Sequence, residues 1–142
     1  LRHFIVRRFQ PRARRPLMIS VVSFGYRYGI PADADLVFDV RFLPNPHFVP
    51  ALRKFSGKDP KVARYIRSFP QTKQFLRRME GLLLYLLPHY IREGKSYLTI
   101  ALGCTGGRHR SVMMADSVGR ALAARGYTVK SVHRDLDREV TG

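Results

Sequence analysis

Apolar residues along this chain fall into runs and stripes whose spacing switches between that of strands and that of helices. Residues 17–24 form a β-branched run that stops at Gly25, the pattern of a buried strand. Residues 37–42 read as a second strand, entered from a polar loop holding Asp33 and Asp35. Leu43-Pro44-Asn45-Pro46-His47 can be neither helix nor central strand, because its prolines fix φ and remove amide donors. It predicts a rigid loop at a strand end. Residues 61–69 and 72–90 read as helices. In the second, Phe75, Met79, Leu82, Leu83 and Leu86 recur at helical spacing and mark a core face, with Gly94 where a C-terminal cap belongs. An apolar strand at 97–102, a helix at 112–125 and a closing strand at 128–133 follow.

The order β, β, α, α, β, α, β predicts an α/β fold, a three-layer domain with a mostly parallel central sheet. Ligands of such sheets bind beyond the carboxyl ends of the strands. The loops at 23–25, 39–47 and 104–110 are therefore expected to build one pocket.

Composition narrows the class. With 142 residues, 45% of them hydrophobic, the chain is one globular domain rather than a disordered segment. No apolar run reaches the ~20 residues that span a bilayer, and none has the form of a signal peptide. A single cysteine excludes an internal disulfide framework and predicts a cytoplasmic location. The chain opens on Leu1 rather than Met, which predicts a piece of a longer protein. Residues 1–16 read as a basic linker carrying Arg2, Arg7, Arg8, Arg12, Arg14 and Arg15, with a short helix over 4–9. Lys and Arg number 26 against 10 Asp and Glu, a net charge of +16 that implies an anionic partner.

The place for that anion is Gly103-Cys104-Thr105-Gly106-Gly107-Arg108-His109-Arg110-Ser111, between a predicted strand and a predicted helix. A small-residue turn lets backbone N–H groups crowd around an anion, and the helix start adds partial positive charge. Arg108, His109 and Arg110 add side-chain donors, so phosphate or a phosphorylated small molecule is the expected occupant. No metal cluster and no cofactor is expected.

Val22 to Pro31, Asp33 to His47 and Gly103 to Val112 together resemble the C-terminal domain of the RapZ/YvcJ family, known as RNase adapters or P-loop nucleotide-binding regulators. The resemblance covers about residues 17–138. It implies a phosphofructokinase-subdomain-like fold and a domain organisation in which 1–16 leads from a missing N-terminal P-loop NTPase domain into a ligand-sensing domain at 17–142. ATP or GTP would belong to that missing domain, since no Gly-x4-Gly-Lys-Ser/Thr occurs here, and this domain would not itself be an enzyme. The resemblance further implies self-association and control of amino-sugar metabolism through binding of a phosphorylated amino sugar such as glucosamine 6-phosphate. The implied pocket falls on His47, Thr105, Gly106 and Arg110, with Asp39, Cys104, Gly107 and His109 close by. RNA is a second implied partner. Enterobacterial members end in a basic tail, however, whereas residues 133–139 here mix both signs. Weak RNA contact is accordingly expected through Arg7, Arg8, Arg12, Arg14 and Arg15, the basic positions from 58 to 78 reading as a solvated helix face.

Two rival readings stay open at this level. Cys104 and Arg110, followed by Ser111, reproduce the Cys-x5-Arg-Ser/Thr pattern of cysteine-dependent phosphatases, where a thiolate attacks phosphorus at a helix N-terminus. Gly103 stands where a histidine usually precedes that cysteine, and no Asp is obviously placed as general acid. The other rival is a plain RNA-binding module driven by charge alone, which lacks the aromatic stacking motif of common single-strand binders.

Overall fold

Four β-branched or apolar stretches pair as one parallel sheet in the computed structural model of the chain, which describes residues 17–138. They are β1 (Met18–Gly25), β2 (Leu36–Asp39), β3 (Tyr97–Cys104) and β4 (Thr128–His133), in the spatial order β2-β3-β1-β4. Helices α1 (Pro60–Arg67), α2 (Pro70–Arg92) and α3 (Arg110–Ala124) complete the α/β fold read from the sequence. The expected basic linker, with Arg7, Arg8, Arg12, Arg14 and Arg15, lies outside the described residues.

β2 is shorter than its apolar pattern because the chain turns as soon as it passes Asp39. The Asp39 carboxylate accepts the Arg41 amide at 2.9 Å, and the Leu43 amide donates to the Val40 carbonyl. α2 begins on Pro70, where a missing donor costs nothing, and Gly94 follows its end at φ 94° as the cap requires.

Ile19, Val21, Leu98, Ile100 and Leu102 point to one face of the sheet, where they join Val62 and Ile66 of α1, Met79, Leu83 and Leu87 of α2, and Met114, Val118 and Leu122 of α3. Each such side chain contributes about 1.5–3 kcal/mol by leaving water. All three helices thus cover the same face, so the described residues make two layers rather than the three expected, because both helical crossovers, β2 to β3 and β3 to β4, run in the same direction across the sheet. On the other face, Met18, Val37, Tyr97 and Val132 stay 39–71% exposed, and no helix among the described residues lies over them. Its carboxyl end is closed by the Phe24 ring lying on Gly103, where a Cβ would come within 2.4 Å of that ring. No helix among the described residues is long and apolar enough to cross a membrane.

Two ties fix the carboxyl ends of the strands. His133 of β4 bridges Ser23 Oγ at 2.7 Å and the Asp116 carboxylate of α3 at 2.9 Å. Ser23 is fully buried, so this Ser–His–Asp chain joins sheet to helix and offers no nucleophile. The second tie is tighter. A Cβ on Gly25 would fall 2.5 Å from the Gly106 carbonyl carbon, and one on Gly107, whose φ is +78°, 2.7 Å from the Gly25 nitrogen. Asp135, wholly buried, locks that contact by accepting the Gly25 amide at 2.8 Å and pairing with Arg134 and Arg138.

Burial works to raise the Asp135 pKa. The Arg134 and Gly25 hydrogen bonds and the nearby guanidinium charges outweigh it and hold the carboxyl below its usual range. Its stabilisation is therefore complete above about pH 3.9 and is lost as pH falls through the lower folded value. Urea denaturation below pH 4 should show wild type losing stability more steeply than Asp135→Asn, and parallel curves would refute this linkage. Asp135→Ala should cost about 1–3 kcal/mol at neutral pH by orphaning the Gly25 amide. Gly25→Ala should cost a similar ~1–3 kcal/mol through overpacking against backbone that has no side chain to move aside, which the same melts read directly.

Candidate functional site

The strand-to-helix turn at 104–110 is compact because Thr105, Gly106 and Gly107 are small and because Gly25 lets β1 end against it. Among the described residues, none of the amides from Thr105 to His109 donates to a protein acceptor. Such a run of donors ahead of a 15-residue helix is a ready anion site.

Arg110 opens that helix with only 5% of its surface exposed. Its Nη1 donates to the carbonyls of Arg41 and Leu43, the latter at 3.2 Å, and Nη2 lies 3.5 Å from Thr105 Oγ1. Its Nε is buried with no partner. Burial lowers the guanidinium pKa, but arginine starts so high that the group remains cationic. The Asp39 carboxylate attracts this charge from a distance but is itself paired with Arg41, and among the described residues no carboxylate forms a salt bridge with Arg110. That is the central electrostatic fact of the site.

Thr105, Gly106 and Arg110 open onto a cleft of about 670 Å³. Every strand sends its following segment there: Arg27 and Tyr28 after β1, His47 and Phe48 after β2, the glycine turn after β3 and Arg138 after β4. His47 sits on a short 3-10 turn, Pro46–Phe48, capped by Asn45 Oδ1 accepting the His47 amide at 3.0 Å. Phe48 is 75% exposed at the cleft and gives it an apolar surface. Arg27, Arg53, Lys54, Arg108, Arg110 and Arg138 all line it, and no carboxylate does among the described residues. Among the described residues no group of three metal-ligating side chains comes together.

Other residues singled out in the sequence lie differently. His109 reaches the cleft, but its Nε2 meets the Arg53 carbonyl at 3.1 Å, and an oxygen that only accepts makes Nε2 the protonated nitrogen. Burial pushes its pKa below the ordinary imidazole range, so it braces the loop as a neutral ring. Gly107 is buried in the contact with Gly25. Cys104 turns into the core, with its thiol 3.1 Å from Ser111 Oγ, and does not line the cleft. Asp39 also stays outside it, in a bidentate pair with Arg41 that holds its carboxyl below the usual range. Arg41 in turn stacks 3.9 Å from the Tyr26 ring centroid.

Sequence reasoning missed Arg53, Lys54 and Asp135. The first two stand in a segment with no motif, and Asp135 looks like one charge in a mixed tail. A lone Gly57 ahead of a capped helix was the available hint for the first pair. Its amide donates to the Arg108 carbonyl at 2.7 Å, and a Cβ there would meet the His109 oxygen.

Residues 17–137 match the family described as the RapZ C-terminal domain. A nucleotide-binding protein of Koribacter versatilis is 63% identical over 138 residues, which are 95% of this chain and 45% of that protein. One from Solibacter usitatus is 61% identical over 137 residues, covering 96% and 43%. One from Moorella thermoacetica is 53% identical over 126 residues, covering 89% and 42%. The chain thus spans less than half the length of these curated relatives. With nearly all of its described residues inside the match, the chain belongs to the RapZ family, as its C-terminal domain.

Proposed function

We propose that this domain is a cytoplasmic sensor that binds a phosphorylated small molecule of sugar size and does not turn it over. The observation that carries this reading is Arg110: a buried cation with no salt-bridged carboxylate among the described residues, its Nε unpartnered there, beside a run of amides equally without protein acceptors. A dianionic phosphate supplies the missing charge and acceptors together. The cleft, at about 670 Å³, has room for more than phosphate, and Phe48 offers an apolar face to ring carbons. Glucosamine 6-phosphate meets this description through its phosphate and ring. Its ammonium has no carboxylate among the cleft residues, since Asp39 is held by Arg41. Binding without turnover is supported by Cys104, whose thiol is spent on Ser111 inside the core. Nucleotide binding by the longer relatives, as their names state it, is assigned here to the part of them that this chain does not span.

Calorimetric titration with glucosamine 6-phosphate tests the reading. Arg110→Ala should weaken binding by about 1.5–3 kcal/mol, the scale of charge-assisted hydrogen bonds. Arg110→Lys should recover only part, because an ammonium cannot fork between acceptors. Arg110 also holds the Arg41 and Leu43 carbonyls, so Thr105→Val is the companion variant, with an expected loss of about 0.5–1.5 kcal/mol in a fold otherwise undisturbed. Wild-type affinity in both Arg110→Ala and Thr105→Val would move the site elsewhere.

A further inference from the structure

The cleft holds more positive charge than one phosphate can balance. Of its six cationic side chains only Arg138 pairs with a carboxylate among the described residues, through Asp135 at 3.1 Å. Three of the others are held by backbone carbonyls instead. Arg110 is fixed by Arg41 and Leu43, Arg53 Nε donates to the His47 carbonyl at 2.8 Å, and Arg108 Nη2 donates to the Lys54 carbonyl at 3.1 Å. A carbonyl dipole sets where a guanidinium sits and leaves its unit charge uncompensated.

Arg53 and Lys54 reach this place by construction. Three hydrogen bonds staple their segment to the anion turn: Arg108 to the Lys54 carbonyl, His109 to the Arg53 carbonyl, and the Gly57 amide to the Arg108 carbonyl. The result is a cationic rim of Arg53, Lys54 and Arg108 on the same cleft as the deeper group of Thr105, Gly106 and Arg110. An amino group would be repelled at such a rim. A second anionic group would be attracted.

Resting on the sugar-phosphate reading above, we infer that the rim of Arg53, Lys54 and Arg108 is a second anion subsite, and that the cleft takes a ligand carrying two separated anionic groups, such as a sugar bisphosphate. The first phosphate occupies the turn and the helix start. The second meets side chains that no carboxylate among the described residues pairs with.

The test is titration of the 142-residue chain at fixed ionic strength with glucose 6-phosphate and with glucose 1,6-bisphosphate. The bisphosphate should bind at least about tenfold more tightly, beyond the statistical gain of having two phosphate ends. Lys54→Met keeps the aliphatic stem and removes the charge from an exposed side chain. It should lower bisphosphate affinity about five- to tenfold and leave glucose 6-phosphate within about twofold. Equal affinity of the two sugars for wild type, or an equal loss for both in Lys54→Met, overturns the second subsite while leaving the first phosphate site standing. Failure of both sugars to bind overturns both sites.

Discussion

Gly25 and Gly107 bring two backbones closer than any side chain would permit, and the buried carboxylate of Asp135 holds them there. The rest of the site hangs on that contact. It sets the depth at which the glycine turn leaves β3 and hence where α3 starts. It also draws Arg138 to the cleft as a partner of the same carboxylate. Burying a carboxylate is costly unless its lone pairs are filled. Here one amide and two guanidinium groups fill them, which turns a liability into a fixed point.

Arg110 poses the opposite problem. Its guanidinium is as enclosed as a core residue, yet its protein partners are mostly neutral: two carbonyls and, at longer range, a hydroxyl. Neutral acceptors recover hydrogen-bond energy without recovering charge, so the desolvated cation keeps its field. Arg53 and Arg108 are also held by backbone carbonyls, in more exposed positions. A cleft built this way is preorganised for anions, because among the described residues its cations other than Arg138 have no ion pair to break. Asp39 and Arg41 show the alternative: paired with each other, they neutralise locally and stay out of the cleft.

The sheet adds a second asymmetry. All three helices serve one face, which holds nearly all of the apolar core, while the other has no helix over it among the described residues and is capped at its carboxyl end by Phe24 and Tyr26, which meet edge to face over Gly103. The aromatic pair therefore supports the end of the sheet from which the cleft-lining segments depart. Arg41, on the Tyr26 ring, ties the segment after β2 into the same support.

The sequence by itself determined the elements and the strand–turn–helix unit at the anion turn, because these depend on local periodicity, on proline and glycine geometry, and on donors spaced within a few residues. Thr105, Gly106 and Arg110 were legible for that reason. His47 was singled out through the family resemblance, its Pro-stiffened loop giving only local support. Tertiary structure alone decided the rest. Asp135 lies 110 positions from the amide it accepts, and Arg108 is 54 from the carbonyl it grips. No local pattern encodes such pairings. Cys104 read as a nucleophile by spacing, but strand alternation turned it into the core, where its thiol donates to Ser111 Oγ. His109 read as a donor to the anion and became a brace, because the segment after β2 folded over it. Spacing along a chain fixes which groups are near one another; only packing fixes which way each one faces and what charge is left uncancelled.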